Sequence, residues 1–350
     1  MDMPKVTVLL PVYNGEQYLY ETIQSILSQS FSNFELLIVD DGSTDASAKI
    51  IHSFHDSRIR ILVNSKRLRL SGALNRGFDE ARGMYIARMD ADDISLPLRL
   101  QKQVDFLDKH PKIGMCGTSI EIFGKKVKKR VDVYPENTDY INTYALFDCP
   151  FCHPSVMMRK TMFNKYELRY DGSYYPTEDY ELWSRATVLF PTSNLKDILL
   201  LYRVHDASMT GADWSEMDKQ ATKIIGNLLN KFGVQFTDDE LQMHRNIGRG
   251  RSCRVKSVDE LDRVDRWLHK LISVNNKRNV YDKQALAETI SFVWYRLCLN
   301  NTLLGMHTIR TYLSSSLSGI GLVTSKRIVI IFASTLKNCL LTKSVTIQRK

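Results

Sequence analysis

The feature that most constrains the fold is an alternation of apolar and amphipathic segments over the first 83 residues. Three β-branched, apolar stretches, Lys5–Val12, Phe34–Val39 and Arg58–Val63, are typical of buried strands, and a helical periodicity follows each of them. Strands that are apolar on both faces occur in parallel sheets that helices cover on both sides. The pattern therefore predicts an α/β fold with a doubly wound sheet.

A fourth apolar run, Met84–Met89, leads into three carboxylates within four positions, Asp90, Asp92 and Asp93. Carboxylates this close repel one another, so the arrangement favours a bound cation. Mg²⁺ and Mn²⁺ prefer oxygen ligands, and Mg²⁺ commonly joins one or two carboxylates to substrate phosphates. Open α/β sheets also place their ligands at strand ends. The alternative interpretation is an acidic loop that caps the next helix.

The sequence lacks the motifs of several other functional classes. No GxGxxG follows the first strand, and no GxxxxGK[ST] is present, so neither a dinucleotide cofactor nor a P-loop is predicted. Cys149-Pro-Phe-Cys-His153 matches a haem-attachment pattern, but that chemistry requires export, and the N-terminal residues run directly into a strand without a secretory signal. We expect a cytoplasmic protein whose six scattered cysteines are reduced, with the thiols of this motif buried.

Charge divides the chain into two regions. Residues 1–210 carry 26 basic and 27 acidic side chains, whereas residues 211–350 carry 22 and 12, and no acidic residue follows Glu288. We therefore expect a first domain over residues 1–210 and a basic, mainly helical region over residues 211–350. Helical periodicity in the second region is found over Asp213–Phe232, Val258–Val274, Asp282–Leu299 and Ser325–Leu341, with a basic link over Arg245–Lys256.

The acid-free end of the chain predicts contact with an anionic surface. Its leucine- and isoleucine-rich segments carry only basic charges, which would suit peripheral attachment to the cytoplasmic face of a membrane or contact with an acceptor. No apolar run is long enough to span a bilayer. Nucleic acid is the competing polyanion, but no recognition motif supports it, so no nucleic-acid partner is expected. The remaining alternative is a small helical domain whose charge maintains solubility.

Four motifs in order identify a resemblance to a known family. They are Pro11-Val-Tyr-Asn14, Val39-Asp-Asp-Gly-Ser-Thr-Asp45, Asp90-Ala-Asp92 and Glu178-Asp179. Together they resemble the family 2 glycosyltransferases, which are inverting enzymes of the GT-A fold that use nucleotide sugars. The resemblance covers residues 4–206. It implies a doubly wound mixed sheet with a Rossmann-like nucleotide-binding half, followed here by a helical C-terminal region.

The resemblance also implies a nucleotide-sugar site at the ends of the first strands. The base, usually uracil, would lie near the first motif, and the carboxylate of Asp41 would accept a hydrogen bond from it. Asp90 would contact the ribose or a metal. The residues implied in donor binding are Pro11, Val12, Tyr13, Asn14, Asp41, Asn75, Asp90, Ala91 and Asp92.

The metal ligands and the catalytic base follow from the same resemblance. Asp90, Asp92 and His205 would hold Mg²⁺ or Mn²⁺, which would stabilise the departing nucleoside diphosphate. Asp179 would be the base that deprotonates the attacking hydroxyl. A structural histidine at position 205, and favourable charge in a first helical turn at Asp179, are the alternatives.

The expected function is therefore metal-dependent transfer of one sugar from a UDP-sugar to a hydroxyl of a glycan or lipid-linked glycan, as in capsule or O-antigen assembly. The QxxRW motif of processive members of the family is absent, which favours single-sugar addition. A sugar-phosphate nucleotidylyltransferase of similar architecture is one alternative, although the first strand lacks the Gly-rich loop of such enzymes. A non-catalytic sugar- or polyanion-binding protein is the other.

Overall fold

The computed structural model describes residues 3–125, 127–206, 214–248, 254–255, 257–320 and 326–335. The chain divides into two compact units. The first comprises Met1–Ile141 and Cys149–Ala221, and the second comprises Asn142–Asp148 and Thr222–Lys350.

The first unit is built on one nine-stranded mixed sheet. Its strands are β1 (Val6–Val12), β2 (Phe34–Asp40), β3 (Ile59–Val63), β4 (Tyr85–Arg88), β5 (Ile94–Ser95), β6 (Met115–Phe123), β7 (Arg130–Asp132), β8 (Met157–Arg159) and β9 (Thr192–Arg203). They are ordered β3-β2-β1-β4-β8-β6-β9-β5, and β7 pairs with β6. Strands β3, β2, β1 and β4 are parallel, whereas β8 is antiparallel to both β4 and β6.

Helices cover both faces of this sheet, as the sequence predicts. They are α1 (Leu19–Leu27), α2 (Ser47–His52), α3 (Arg69–Glu80), α4 (Arg99–Lys109), α5 (Thr138–Tyr144), whose last three residues belong to the second unit, α6 (Lys160–Lys165) and α7 (Glu178–Ala186). Side chains of β1 alternate between the two faces: Val8 and Leu10 join a core with Ile23 of α1, while Leu9 joins one with Leu74 of α3. Every residue of β1 is buried, because helices pack on both of its faces.

The α3–β4 turn approaches β1 so closely that it requires glycine. A Cβ atom on Gly83 would lie 2.4 Å from the backbone nitrogen of Thr7. The Gly83 backbone nitrogen donates instead to the Thr7 hydroxyl at 2.9 Å. The first residues of β4 are therefore fixed against β1, which sets where β4 ends and its acidic loop begins.

The second unit is helical in its described residues. Its helices are α8 (Trp214–Phe232), which begins in the first unit, α9 (Asp238–Gly248), α10 (Val258–Arg278), α11 (Lys283–Asn300), α12 (Met306–Ser314) and α13 (326–335). In α10, Leu261, Val264, Leu268 and Leu271 are buried at helical spacing. Within the described ranges, no helix is both long and apolar enough to cross a membrane.

The structure differs from the sequence-based expectations in several elements. The last strand begins at Thr192 rather than Ile198, and register shifts at Thr118 and Ser119 let it continue along β6. The short helices α5, α6, α9 and α12 were not predicted. The predicted link from Arg245 is wrong for its first residues, because α9 continues to Gly248; three acidic residues favour its first turn. Residues 249–253 and 256 of the predicted link, residues 325 and 336–341 of the predicted final helix, and residue 213 of the helix predicted from Asp213 lie outside the described residues.

Candidate active site

A cleft lies at the carboxyl ends of β1 and β4. These strands are parallel and paired in register, so the loops that follow them emerge at the same edge of the sheet. The cleft has a volume of about 830 Å³, which is ample for a nucleotide-sized ligand. Eight of the predicted site residues line it: Pro11, Tyr13, Asn14, Asp90, Ala91, Asp92, Asp179 and His205.

The motif Pro11–Asn14 ends in the loop after β1, and hydrogen bonds connect this loop to the loop after β2. Asn14 has a positive φ of 52°, a conformation that asparagine tolerates better than most residues. Its side-chain oxygen accepts a hydrogen bond from the Thr44 backbone nitrogen at 2.8 Å, and its own backbone nitrogen donates to the Ser43 hydroxyl at 3.1 Å. The Glu16 backbone nitrogen donates to Asp45 at 2.9 Å, and the Glu16 carboxylate accepts from Ala46 at 2.8 Å. The loop after β1 lines the cleft, and these bonds connect it to the loop after β2; we call the two linked loops the rim.

Three predicted donor-binding residues lie outside the cleft lining that the described residues form: Val12, Asp41 and Asn75. Asp41 is nearly fully buried, and its Oδ1 accepts from Asn64 Nδ2 at 2.6 Å and from the Leu68 backbone nitrogen at 2.7 Å. The Asn75 amide donates to the Tyr170 carbonyl at 2.8 Å and accepts from the Tyr170 nitrogen at 2.9 Å. These contacts give Asp41 and Asn75 structural roles, and their contact with a donor stays a prediction.

The loop after β4 brings two of the predicted metal ligands, Asp90 and Asp92, together with Asp93. One oxygen each from Asp90, Asp92 and Asp93 lies within 4.8 Å of the others. Asp90 forms an ion pair with Arg88, and Asp92 Oδ2 lies 2.9 Å from His205 Nε2. Burial raises the pKa of Asp92, and the negative charge of Asp90 raises it further, while His205 lowers it.

Asp93 differs from the other two carboxylates because it faces β9. It is fully buried, and its Oδ1 accepts from the Arg203 backbone nitrogen at 2.7 Å. Burial, together with the charges of Asp90 and Asp92, holds its pKa well above the usual range. Its Oδ2 has no hydrogen-bond partner among the described residues. Asp93 therefore anchors the acidic loop to β9, and its raised pKa favours the protonated, uncharged form.

These groups fit a hard divalent cation. Asp90, Asp92 and His205 all line the cleft and offer two carboxylates and an imidazole. Crowded, partly buried carboxylates are stabilised by a cation, and oxygen-rich sets of this kind suit Mg²⁺ or Mn²⁺. Asp90, Asp92 and Asp93 thus form a cluster that could hold a metal ion.

A second pair of carboxylates, Glu178 and Asp179, lies at the start of α7 and lines the same cleft. Burial raises the pKa of Asp179 to about 6, although its carboxylate accepts a hydrogen bond from the Tyr180 nitrogen at 2.7 Å. Burial and the neighbouring charge of Asp179 raise the pKa of Glu178 to about 7. Asp179 is half-buried, so a carboxylate with a near-neutral pKa faces the cleft.

Sequence reasoning missed two cleft residues, Arg88 and His153. Arg88 is fully buried, and its charge lowers the pKa of Asp179 and of Glu178 as well as pairing with Asp90. The His153 ring nitrogen Nε2 lies 2.9 Å from the Tyr170 hydroxyl, and burial holds the pKa of His153 well below its usual value. The sequence did contain a signal for Arg88, which is an arginine within the predicted apolar strand Met84–Met89. A buried guanidinium requires an acidic partner, so this position indicated a buried ion pair.

The neighbouring Cys152 also lines the cleft as a buried free thiol. Its pKa lies well above the usual value because of burial, so the thiol stays protonated and contributes no charge to the site. In the part of the chain that the structure describes, Cys116 and Cys298 are free thiols as well. Cys149 is only partly buried, so the expectation of buried thiols in this motif holds for Cys152 but not for Cys149.

Comparisons with known proteins agree with this architecture. The family described as glycosyl transferase family 2 matches residues 7–167. The O-antigen biosynthesis glycosyltransferase WbnJ of Escherichia coli is 33% identical over 208 residues, which cover 58% of this chain and 81% of WbnJ. A second E. coli protein, the UDP-Glc:alpha-D-GlcNAc-diphosphoundecaprenol beta-1,3-glucosyltransferase WfgD, is 29% identical over 224 residues, covering 63% of this chain and 85% of WfgD.

Among solved structures, residues 1–349 of TarS from S. aureus in complex with UDP-GlcNAc superpose with a TM-score of 0.57 at 16% identity, covering 90% of each chain. This likeness confirms the GT-A fold with its helical C-terminal region. The chain belongs to family 2 of the glycosyltransferases. It is therefore a transferase by family, and the predicted resemblance is confirmed.

Proposed function

We propose that this glycosyltransferase transfers a single hexose from a UDP-sugar to a hydroxyl of a lipid-linked glycan, with inversion, during surface-polysaccharide synthesis. The names of WbnJ and WfgD support this pathway and this class of acceptor, and WfgD and TarS support a UDP-linked donor. One observation carries the proposal: Asp179 lines the same cleft as the Asp90, Asp92 and His205 set.

In this proposal the nucleotide lies along the rim formed by the loops after β1 and β2. Tyr13 presents a partly exposed ring there, and the Arg67 guanidinium carbon lies 3.7 Å from the centre of that ring. Asp90, Asp92 and His205 would hold Mg²⁺ or Mn²⁺ next to the donor diphosphate. The metal, when bound, supplies positive charge that stabilises the departing nucleoside diphosphate.

Asp179 acts as the general base. Its carboxylate accepts the proton of the acceptor hydroxyl as the hydroxyl oxygen bonds to the anomeric carbon, on the face opposite the diphosphate. The bond from that carbon to the diphosphate oxygen breaks, and its electron pair leaves with UDP. A single displacement inverts the configuration. A pKa of about 6 keeps Asp179 ionised at neutral pH while it remains basic enough to accept a proton.

The first test is calorimetric binding of UDP with and without Mn²⁺. We expect wild-type protein to bind UDP more tightly with Mn²⁺, and Asp92→Ala to lose that enhancement. Asp79→Ala is the matched control, because Asp79 lies on the exposed surface of α3 and pairs with Arg169. Turnover of UDP-sugars with a lipid-linked acceptor, followed by NMR of the product's anomeric proton, then tests inversion.

Each alternative gives a different result. UDP binding that does not depend on Mn²⁺ would contradict the metal site, and absence of UDP binding would contradict the donor class. A nucleotidylyltransferase would consume a nucleoside triphosphate and a sugar phosphate and release pyrophosphate. A non-catalytic protein would bind a sugar or polyanion without turnover.

A further inference from the structure

Helix α13 in the second unit exposes apolar side chains on its outward face. Val329, Ile330 and Phe332 are 66%, 46% and 42% exposed, whereas Ile331 and Thr335 are buried. At 100° per residue, Ile331 and Thr335 lie on one side of the helix, and the three exposed residues project from the rest of its circumference. Three neighbouring large apolar residues on one exposed helix are unusual for a surface that faces only water.

This apolar surface continues onto α11. Phe292 is 40% exposed, and the guanidinium carbons of Arg327 and Arg296 lie 5.8 Å and 5.5 Å from the centre of its ring. Arg327 is held in place because its Nη1 donates to the Ser291 hydroxyl at 3.1 Å. We define the basic–apolar face by its described members, Phe292, Arg296, Lys326, Arg327, Val329, Ile330 and Phe332.

We propose that the basic–apolar face binds the surface of an anionic lipid bilayer. The argument for this occupant is charge complementarity. No acidic residue follows Glu288, so Arg296, Lys326 and Arg327 lie in a part of the sequence that has no negative side chain. Basic residues beside exposed apolar ones are the features by which interfacial helices bind negatively charged leaflets. A second copy of the chain would bring the same positive charges together, which disfavours self-association through this face.

The exposure pattern of α13 fits binding in the plane of the interface. Over its described residues, Ile331 and Thr335 pack inward while the rest of the surface carries exposed apolar and basic side chains, as in a helix that lies along a membrane surface. Val329, Ile330 and Phe332 would enter the boundary between head groups and acyl chains, and Lys326 would remain among the head groups.

This inference goes beyond the proposed function, because sugar transfer uses residues of the first unit. Its test is flotation of the full-length protein with vesicles of phosphatidylcholine alone or with about one third phosphatidylglycerol. We expect binding to the anionic vesicles that weakens at high salt. Combined Val329→Ser, Ile330→Ser and Phe332→Ser substitutions should lower partitioning on the order of tenfold, because they remove the apolar part of the surface.

The matched control carries Val63→Ser, Val188→Ser and Leu189→Ser, which replace three exposed aliphatic residues of the first unit and should leave partitioning unchanged. Calorimetric UDP binding by both triple variants checks folding and separates this proposal from the proposed function. Failure of the wild type to float, equal flotation with neutral vesicles, or equal flotation of the two triple variants would overturn the proposal. So would a wild-type dimer that the α13 substitutions convert to a monomer.

Discussion

Two groups of carboxylates line the cleft, and their direct partners differ. In the loop after β4, Asp90 pairs with Arg88, and Asp92 contacts His205. At the start of α7, Asp179 accepts a hydrogen bond from the backbone nitrogen of Tyr180, and no cationic side chain of the described residues forms a salt bridge with it or with Glu178.

The difference shows how acidic side chains in one cleft can be suited to two functions, cation binding and proton transfer. The β4 loop concentrates negative charge beside an imidazole, which suits the binding of a cation. Glu178 is buried, Asp179 is half-buried, and neither has a direct counterion among the described residues. Their pKa values therefore rise to about 7 and about 6, which suits proton exchange near neutrality. Four predictions test this division of tasks.

The largest effect is expected for Asp179→Asn. The amide has nearly the same size but accepts no proton, so kcat should fall by about 10²–10⁴-fold. Mn²⁺-dependent UDP binding should stay close to that of the wild type, because the β4 loop is intact. Steady-state turnover and calorimetry measure the two quantities, with Asp79→Asn as the surface control. Loss of metal-dependent UDP binding in Asp179→Asn would contradict the assignment of cation binding to the β4 loop alone.

Arg88→Met should destabilise the first unit, because it leaves Asp90 without its buried partner and removes positive charge near Glu178 and Asp179. We expect the free energy of unfolding in urea to fall by about 3 kcal/mol. The matched control is Arg130→Met, which removes a half-exposed ion pair with Asp132 and should cost less than about 1 kcal/mol. Equal unfolding midpoints for the two variants would contradict a central role for Arg88.

His205→Ala should weaken Mn²⁺-dependent UDP binding by about tenfold or more, because it removes the imidazole that contacts Asp92. UDP binding without metal should change much less. Calorimetric titration of Mn²⁺ and UDP measures both effects, and His52→Ala, at an exposed position of α2, is the control. Wild-type metal dependence in His205→Ala would assign His205 a structural role only.

Glu178→Gln should change how stability depends on pH. The folded-state pKa of about 7 lies above the ordinary value of 4.5, so between these pH values the folded chain holds a proton that the unfolded chain has lost. Stability should therefore fall as pH rises through this window, and the neutral glutamine should remove that loss. At pH 8 we expect the free energy of unfolding to rise by on the order of 1–3 kcal/mol.

Urea unfolding at pH 5 and pH 8 measures this change. Glu181→Gln on the same helix is the control, because Glu181 forms an ion pair with Arg185 and its loss should not stabilise the protein. A pH profile that is identical in Glu178→Gln and wild type would show that Glu178 is not protonated in the folded state at neutral pH.

The fold was predictable because alternating apolar strands and amphipathic helices are typical of a doubly wound sheet. Much of the site was predictable because such sheets bind their ligands at the ends of strands. The alternation of apolar strands and helices placed Asp90 and Asp92 at the end of β4, and the structure brings them together with His205 and Asp179 in one cleft. The contact between Asp92 and His205 joins residues 113 positions apart, so motif order rather than local pattern carried the prediction.

The remaining features depend on side-chain contacts that no periodicity specifies. An arginine within an apolar run does not reveal that its partner is Asp90, and an asparagine in α3 does not reveal that it pairs with the Tyr170 backbone. The start of β9 at Thr192 depends on register shifts against β6. The outward orientation of Val329, Ile330 and Phe332 in α13 is seen only in the structure, because an apolar sequence alone would also suit a core.

The linked loops after β1 and β2 have an energetic consequence for donor binding. Because Asn14 and Glu16 already hold Thr44 and Ala46, this rim is ordered before any ligand arrives. Binding would then lose little conformational entropy in the protein at this edge, so more of the contact energy would appear as affinity for the nucleotide. The rim would behave as a rigid template, and discrimination between bases would come from shape rather than from loop closure.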